Sequence, residues 1–228
     1  MNATLTQRKY RLAARLGADT AKTFGITWAA VFIALVVASA IFRQATGEDR
    51  EFAYYALFAI PLVMILVSWI SMAKSYPLAL ANGLTRQGFL VAFAMFGGAV
   101  ILATAAFTQL GRLVIGVFST FRGSSYEMGF YGLDLVESLV NPALFFACGA
   151  VAGAVVLRFR SRWLGALTGG LLVGILVTRP NWLWATALRV SPIVETGDMV
   201  LIDAPLAVLL ALAAWLVLNR APIPPKRA

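Results

Sequence analysis

Apolar residues in this chain come in long unbroken blocks, and polar residues are confined to the gaps between them. A helix needs roughly 20 mostly apolar residues to cross about 30 Å of hydrocarbon. The blocks predict spans at 24–42, 52–72, 89–110, 139–157, 164–178 and 199–218. The fifth is short and is expected to borrow from its flanks. Strict two-residue alternation, the pattern of a membrane barrel, is absent. Backbone groups in lipid must be satisfied within the segment, which helices achieve. The expected fold is therefore all-α: a single transmembrane domain over 1–228, a polytopic bundle of six transmembrane helices with an N-terminal interfacial helix.

That first helix is read at residues 5–22. Leu5, Leu12 and Leu16 recur at helical spacing, with Arg8, Arg11, Arg15 and Lys22 in a stripe beside them. Such a helix can lie in the headgroup layer and attract anionic lipid. The same residues would equally serve as a basic flank that sets topology. The basic region and the apolar block after it are both too long for a cleavable signal peptide.

The polar gap from Lys74 to Gly88 carries the most local detail. Ser75 can cap a helix and Pro77 suits a first turn. Leu78 to Asn82 favours a short helix, Asn82-Gly83 can end it with a left-handed residue, and Thr85 can cap the third span. A short helix joining two spans is one outcome, and a plain hairpin connection is the other. Elsewhere, Gly149 and Gly153 form a Gly-x-x-x-Gly pair suited to close helix packing, within the chain or between chains. The outer segment 111–137 starts as a helical extension or surface-lying piece and is broken at Gly123-Ser124-Ser125.

Composition agrees with this picture: 61% of residues are hydrophobic, mean hydropathy is +0.83 and 13% are charged. A soluble domain carries about 25% charged residues. The net charge of +9 would suggest nucleic acid in a soluble protein. Here the cations sit between apolar blocks, so they bear on membrane orientation instead and no nucleic-acid partner is expected. With the N-terminus inside, the inner segments hold thirteen of the nineteen Lys and Arg residues, Arg158, Arg160 and Arg162 among them, against six outside. Eight of the ten acids, Glu48 to Glu51 and Asp134 among them, fall outside. Both termini are thus expected in the cytoplasm.

Several chemistries lack their residues. There is no histidine, no phosphate-binding Gly-x-x-x-x-Gly-Lys loop, and a single cysteine, Cys148, within an apolar block. No catalytic or metal-ligating residue is expected. Asn141-Pro142-Ala143 occurs once, whereas a water channel needs two such triplets. A local cap followed by a first-turn proline accounts for it. Asp203 is the one acid inside a predicted span and is expected at its boundary.

The stretch from Tyr76-Pro77-Leu78-Ala79-Leu80-Ala81-Asn82-Gly83 to Leu84-Thr85-Arg86-Gln87-Gly88-Phe89 resembles the cytoplasmic segment before the third span in bacterial ABC-transporter permeases of the six-helix exporter class. Gln87 stands where the family often has a second basic residue. The resemblance extends to the N-terminal amphipathic helix, the basic turn Arg158 to Trp163, and external helices that 179–198 could supply. It implies a permease subunit in the bacterial plasma membrane. Ser75, Tyr76, Pro77, Leu80, Asn82, Gly83, Thr85, Arg86 and Phe89 would then couple to a separate ATPase subunit. ATP and Mg would bind that partner and no cofactor would bind this chain. The remaining partners would be a second permease subunit and membrane lipid. The alternative is a membrane protein outside this class, either an ATP-independent transporter or an accessory subunit.

Overall fold

The computed structural model describes residues 2–46, 52–121, 135–178 and 196–220, and every element among them is a helix. In chain order these are α1 (Asn2–Thr20), a π-helical turn (Ala21–Gly25), α2 (Ile26–Thr46), α3 (Ala53–Ala81), α4 (Arg86–Phe121), α5 (Leu135–Phe159), α6 (Arg162–Thr178) and α7 (Thr196–Asn219). Among the described residues five helical runs are long and apolar enough to cross a membrane: Gln7–Thr46, Ala59–Ala81, Arg86–Phe118, Leu135–Phe159 and Val200–Asn219. The fifth predicted span, 164–178, corresponds to the shorter apolar helix α6, 17 residues or about 25 Å. Most of the predicted external helices and part of the segment 111–137 fall at 122–134 and 179–195, outside the described residues.

Helix α5 sits at the centre, packed by α3, α4, α6 and α7. Its residues from Leu144 to Ala154 are buried throughout. Helices in lipid gain little from hydrophobic burial against one another, so close packing must hold them together. Gly149 supplies it, because a Cβ there would overlap the backbone carbonyl of Ile65 on α3. One turn on, a Cβ at Gly153 would stand 3.0 Å from the Met72 Cβ. The Gly-x-x-x-Gly pair therefore serves the α3–α5 contact within the chain. An aromatic group fills the α4–α5 side, with Phe93 and Phe96 at 5.4 and 6.0 Å from Phe146.

The α2–α3 hairpin closes around Ser39. Its hydroxyl donates to the Leu35 carbonyl and accepts from the Phe52 amide, both at 2.8 Å. At the opposite end of the bundle, α5 turns into α6 within two residues. Arg160 takes a positive φ of 52°, and the Ser161 hydroxyl accepts from the Leu164 amide at 3.4 Å.

Three local expectations are corrected. The interfacial helix expected at 5–22 is not a separate element, because α1 runs through the π turn directly into α2. The part of this run from Gln7 to Thr46, 40 residues, is about 60 Å long. It lies along α4 in the same direction, from Lys9 against Gly88 to the Phe32 ring 5.6 Å from Phe107. No proline interrupts residues 5–46, and Leu12, Ala13 and Leu16 find the core to pack on. Second, α3 continues through Ser75 and Pro77, so neither begins a new helix. Third, Asn141 and Pro142 lie inside α5, which starts at Leu135, so Asn141 is not its cap. Asp203, expected at a span boundary, is the fourth residue of the Val200–Asn219 run and is 5% exposed.

Candidate docking site at the α3–α4 turn

The turn between α3 and α4 is fixed by its own residues. Leu84 donates to Ala79 and Gly83 donates to Leu80, at 2.9 and 3.0 Å. These are the two crossed bonds that close a helix C-terminus around a left-handed residue. Gly83 is that residue, with φ of 77°. Two residues later the Thr85 hydroxyl accepts from the Gly88 amide at 3.0 Å and caps α4. The sequence expectations for Asn82-Gly83 and for Thr85 match this geometry.

Beneath the turn, aromatic packing anchors it. Tyr76 and Phe89 are 3% and 0% exposed, and their rings meet edge to face at 5.2 Å. Arg86 does not reach outward. Its guanidinium donates to the carbonyl of Asn219 at 2.6 Å, tying the start of α4 to the last residue of α7. The carbonyl end of a helix carries partial negative charge, which favours a cation there.

The nine residues singled out from the sequence therefore divide. Asn82, Gly83 and Thr85 are exposed at the tip. Ser75, Pro77, Leu80 and Arg86 are half-buried, while Tyr76 and Phe89 belong to the core. Leu78, outside that set, is 64% exposed on the same turn and is the apolar group that the tip presents. The Arg86–Asn219 tie joins residues 133 positions apart, and no local pattern signals it.

Arg8, Arg11 and Arg15 on α1 and Lys22 in the π turn are all exposed, beside the face that holds Leu12, Ala13 and Leu16. Arg15 also stands 4.0 Å from Asp19, an exposed pair of little energetic weight. Among the described residues no group of three or more His, Cys, Asp or Glu side chains comes together. A cleft of about 440 Å³ opens between the α1–α2 run, α3 and α4.

No known family model, curated protein or solved structure matches this chain. Its function is therefore argued from the turn and the bundle themselves.

Proposed function

We propose that the chain is the permease subunit of a bacterial ABC exporter, with six spans and both termini in the cytoplasm. The basic stripe of α1 then faces anionic headgroups, and α6 with its flanks makes the fifth crossing. Two such subunits enclose the path, and each docks an ATPase at the α3–α4 turn. ATP and Mg act on that partner.

The observation that carries this reading is the mechanical build of the turn. Its exposed tip of Leu78, Asn82, Gly83 and Thr85 is short and shaped by crossed backbone bonds. The tip stands on Tyr76 and Phe89, and Arg86 links it to α7. A push on the tip would move α3, α4 and α7 together. That is the coupling that alternation between inward- and outward-open states by rigid-body motion requires.

The uninterrupted α3 favours a second reading. A tip that continues the helix axis offers less surface than a helix lying across it, as suits a membrane protein without an ATPase partner.

Purification of the tagged chain from its own membranes in mild detergent separates the two. The first reading expects a nucleotide-binding ATPase subunit to remain bound, and Leu78→Glu to release it while the helical content stays unchanged. Absence of any ATPase with the unaltered chain overturns it.

A further inference from the structure

The α5–α6 turn crowds three arginines, Arg158, Arg160 and Arg162, into the five residues 158–162. Arg160 and Arg162 are exposed and Arg158 is half-buried. Among the described residues no ion pair reaches any of the three. The neighbouring chain offers no countercharge either. No acid occurs in 74–88, 157–165 or 218–220, the described stretches at this end of the bundle. Asp19 lies on α1, which packs on α4, and Glu137 and Asp203 lie toward the opposite ends of α5 and α7.

Backbone conformation gives an independent sign that the charge is kept for use. Both turns at this end place one residue in the left-handed region. In the α3–α4 turn it is Gly83, at φ 77°, and in the α5–α6 turn it is Arg160, at φ 52°. A Cβ there crowds the following carbonyl, so glycine would serve the second turn better as well. Arginine holds a cation at the tip in spite of that cost. Apolar surface then leads away from the cations. Trp163, Leu167 and Leu171 are 81%, 61% and 67% exposed and form a row at four-residue spacing along α6. Exposed Trp beside exposed Arg is the composition of the layer where hydrocarbon meets headgroups.

We infer that the α5–α6 turn binds the headgroup of an anionic glycerophospholipid, with Arg160 and Arg162 on its phosphate and an acyl chain along the row from Trp163. Guanidinium groups match phosphate oxygens in paired bonds. An acidic protein surface would answer the charge but would leave the row on α6 uncovered, whereas one lipid molecule answers both. The inference rests on the membrane placement of the chain alone and needs no ATPase.

The full chain is reconstituted in phosphatidylglycerol–phosphatidylcholine vesicles. These carry a trace of either lipid with a photoactivatable diazirine in its acyl chain, and labelled peptides are mapped by mass spectrometry. The ratio of phosphatidylglycerol to phosphatidylcholine labelling in 158–171 is expected to be about ten, the preference that 1.4 kcal/mol represents. On α2, where Ile33, Val37 and Ile41 are exposed, it should stay close to unity. Arg160→Gln with Arg162→Gln brings the first ratio close to unity, while Lys74, Arg158 and Arg220 keep the charge of this end positive. Arg160→Gly relieves the turn, so it raises the melting temperature in detergent and still lowers the ratio. A ratio close to unity in the unaltered chain overturns the site, and so does a ratio that either variant leaves unchanged. An acidic protein that co-purifies with the unaltered chain and is lost from the double variant, with lipid labelling the same in both, gives the turn to a protein partner and overturns the lipid assignment.

Discussion

Gly83 concentrates at one residue the conformational demand of the whole α3–α4 turn. Its φ of 77° places it where an L side chain crowds the following carbonyl. Gly83→Val is expected to lower stability by about 1–2 kcal/mol, read as a fall in melting temperature of the purified protein. Gly83→Asn, whose side chain tolerates that region, should recover much of the loss. An equal loss for both variants would contradict the assignment of strain to φ. This turn was legible because its determinants are local: Asn82-Gly83 spells a left-handed helix end and Thr85 a cap, and each acts over three or four residues. Arg86 is the counterexample. The resemblance implied a partner contact for it, whereas its acceptor is a main-chain carbonyl on α7 that no spacing in the sequence points to.

Helix positions were legible for the same reason, while helix lengths were not. Each apolar block became a helix, but α3 extends nine residues past the predicted end at 72, to Ala81, and α4 reaches Phe121. Polar residues such as Lys74 and Ser75 mark where apolar character stops, and nothing in them stops the backbone. Pro77 shows the ambiguity at a single position: it fits a first turn, yet inside α3 it costs the one bond to Ala73 that a neighbouring helix can offset. At the level of contacts between helices, the glycines divide by what faces them. Gly149→Leu must drive α3 from α5, because the obstacle is the Ile65 backbone rather than a side chain that can turn aside. A cost of about 3 kcal/mol, at the upper end for overpacking, is expected, with little monodisperse protein recovered in detergent. Gly170→Leu on α6 meets nothing within 4 Å and should purify like the unaltered chain. Equal recovery of the two would mean that α5 does not approach α3 as described.

Over the whole molecule, the proposed topology rests on one physical premise: apolar helices sit in lipid, and Lys and Arg retain their ends on the cytoplasmic side. The α3–α4 turn, the α5–α6 turn and the end of α7 lie at one end of the bundle, where Arg86 ties α4 to α7 and the Tyr76–Phe89 pair joins α3 to α4. The Ser39–Phe52 closure lies at the other. Orientation of one end therefore fixes all of it. Single cysteines at Asn82, exposed at the tip, and at Gln44, exposed at the far end of α2, can be placed in a Cys148→Ala background and treated with a membrane-impermeant maleimide on intact cells. Labelling at 44 without permeabilisation, and at 82 only after it, is the predicted result. Labelling at 82 in intact cells, or at both positions equally, would contradict the account.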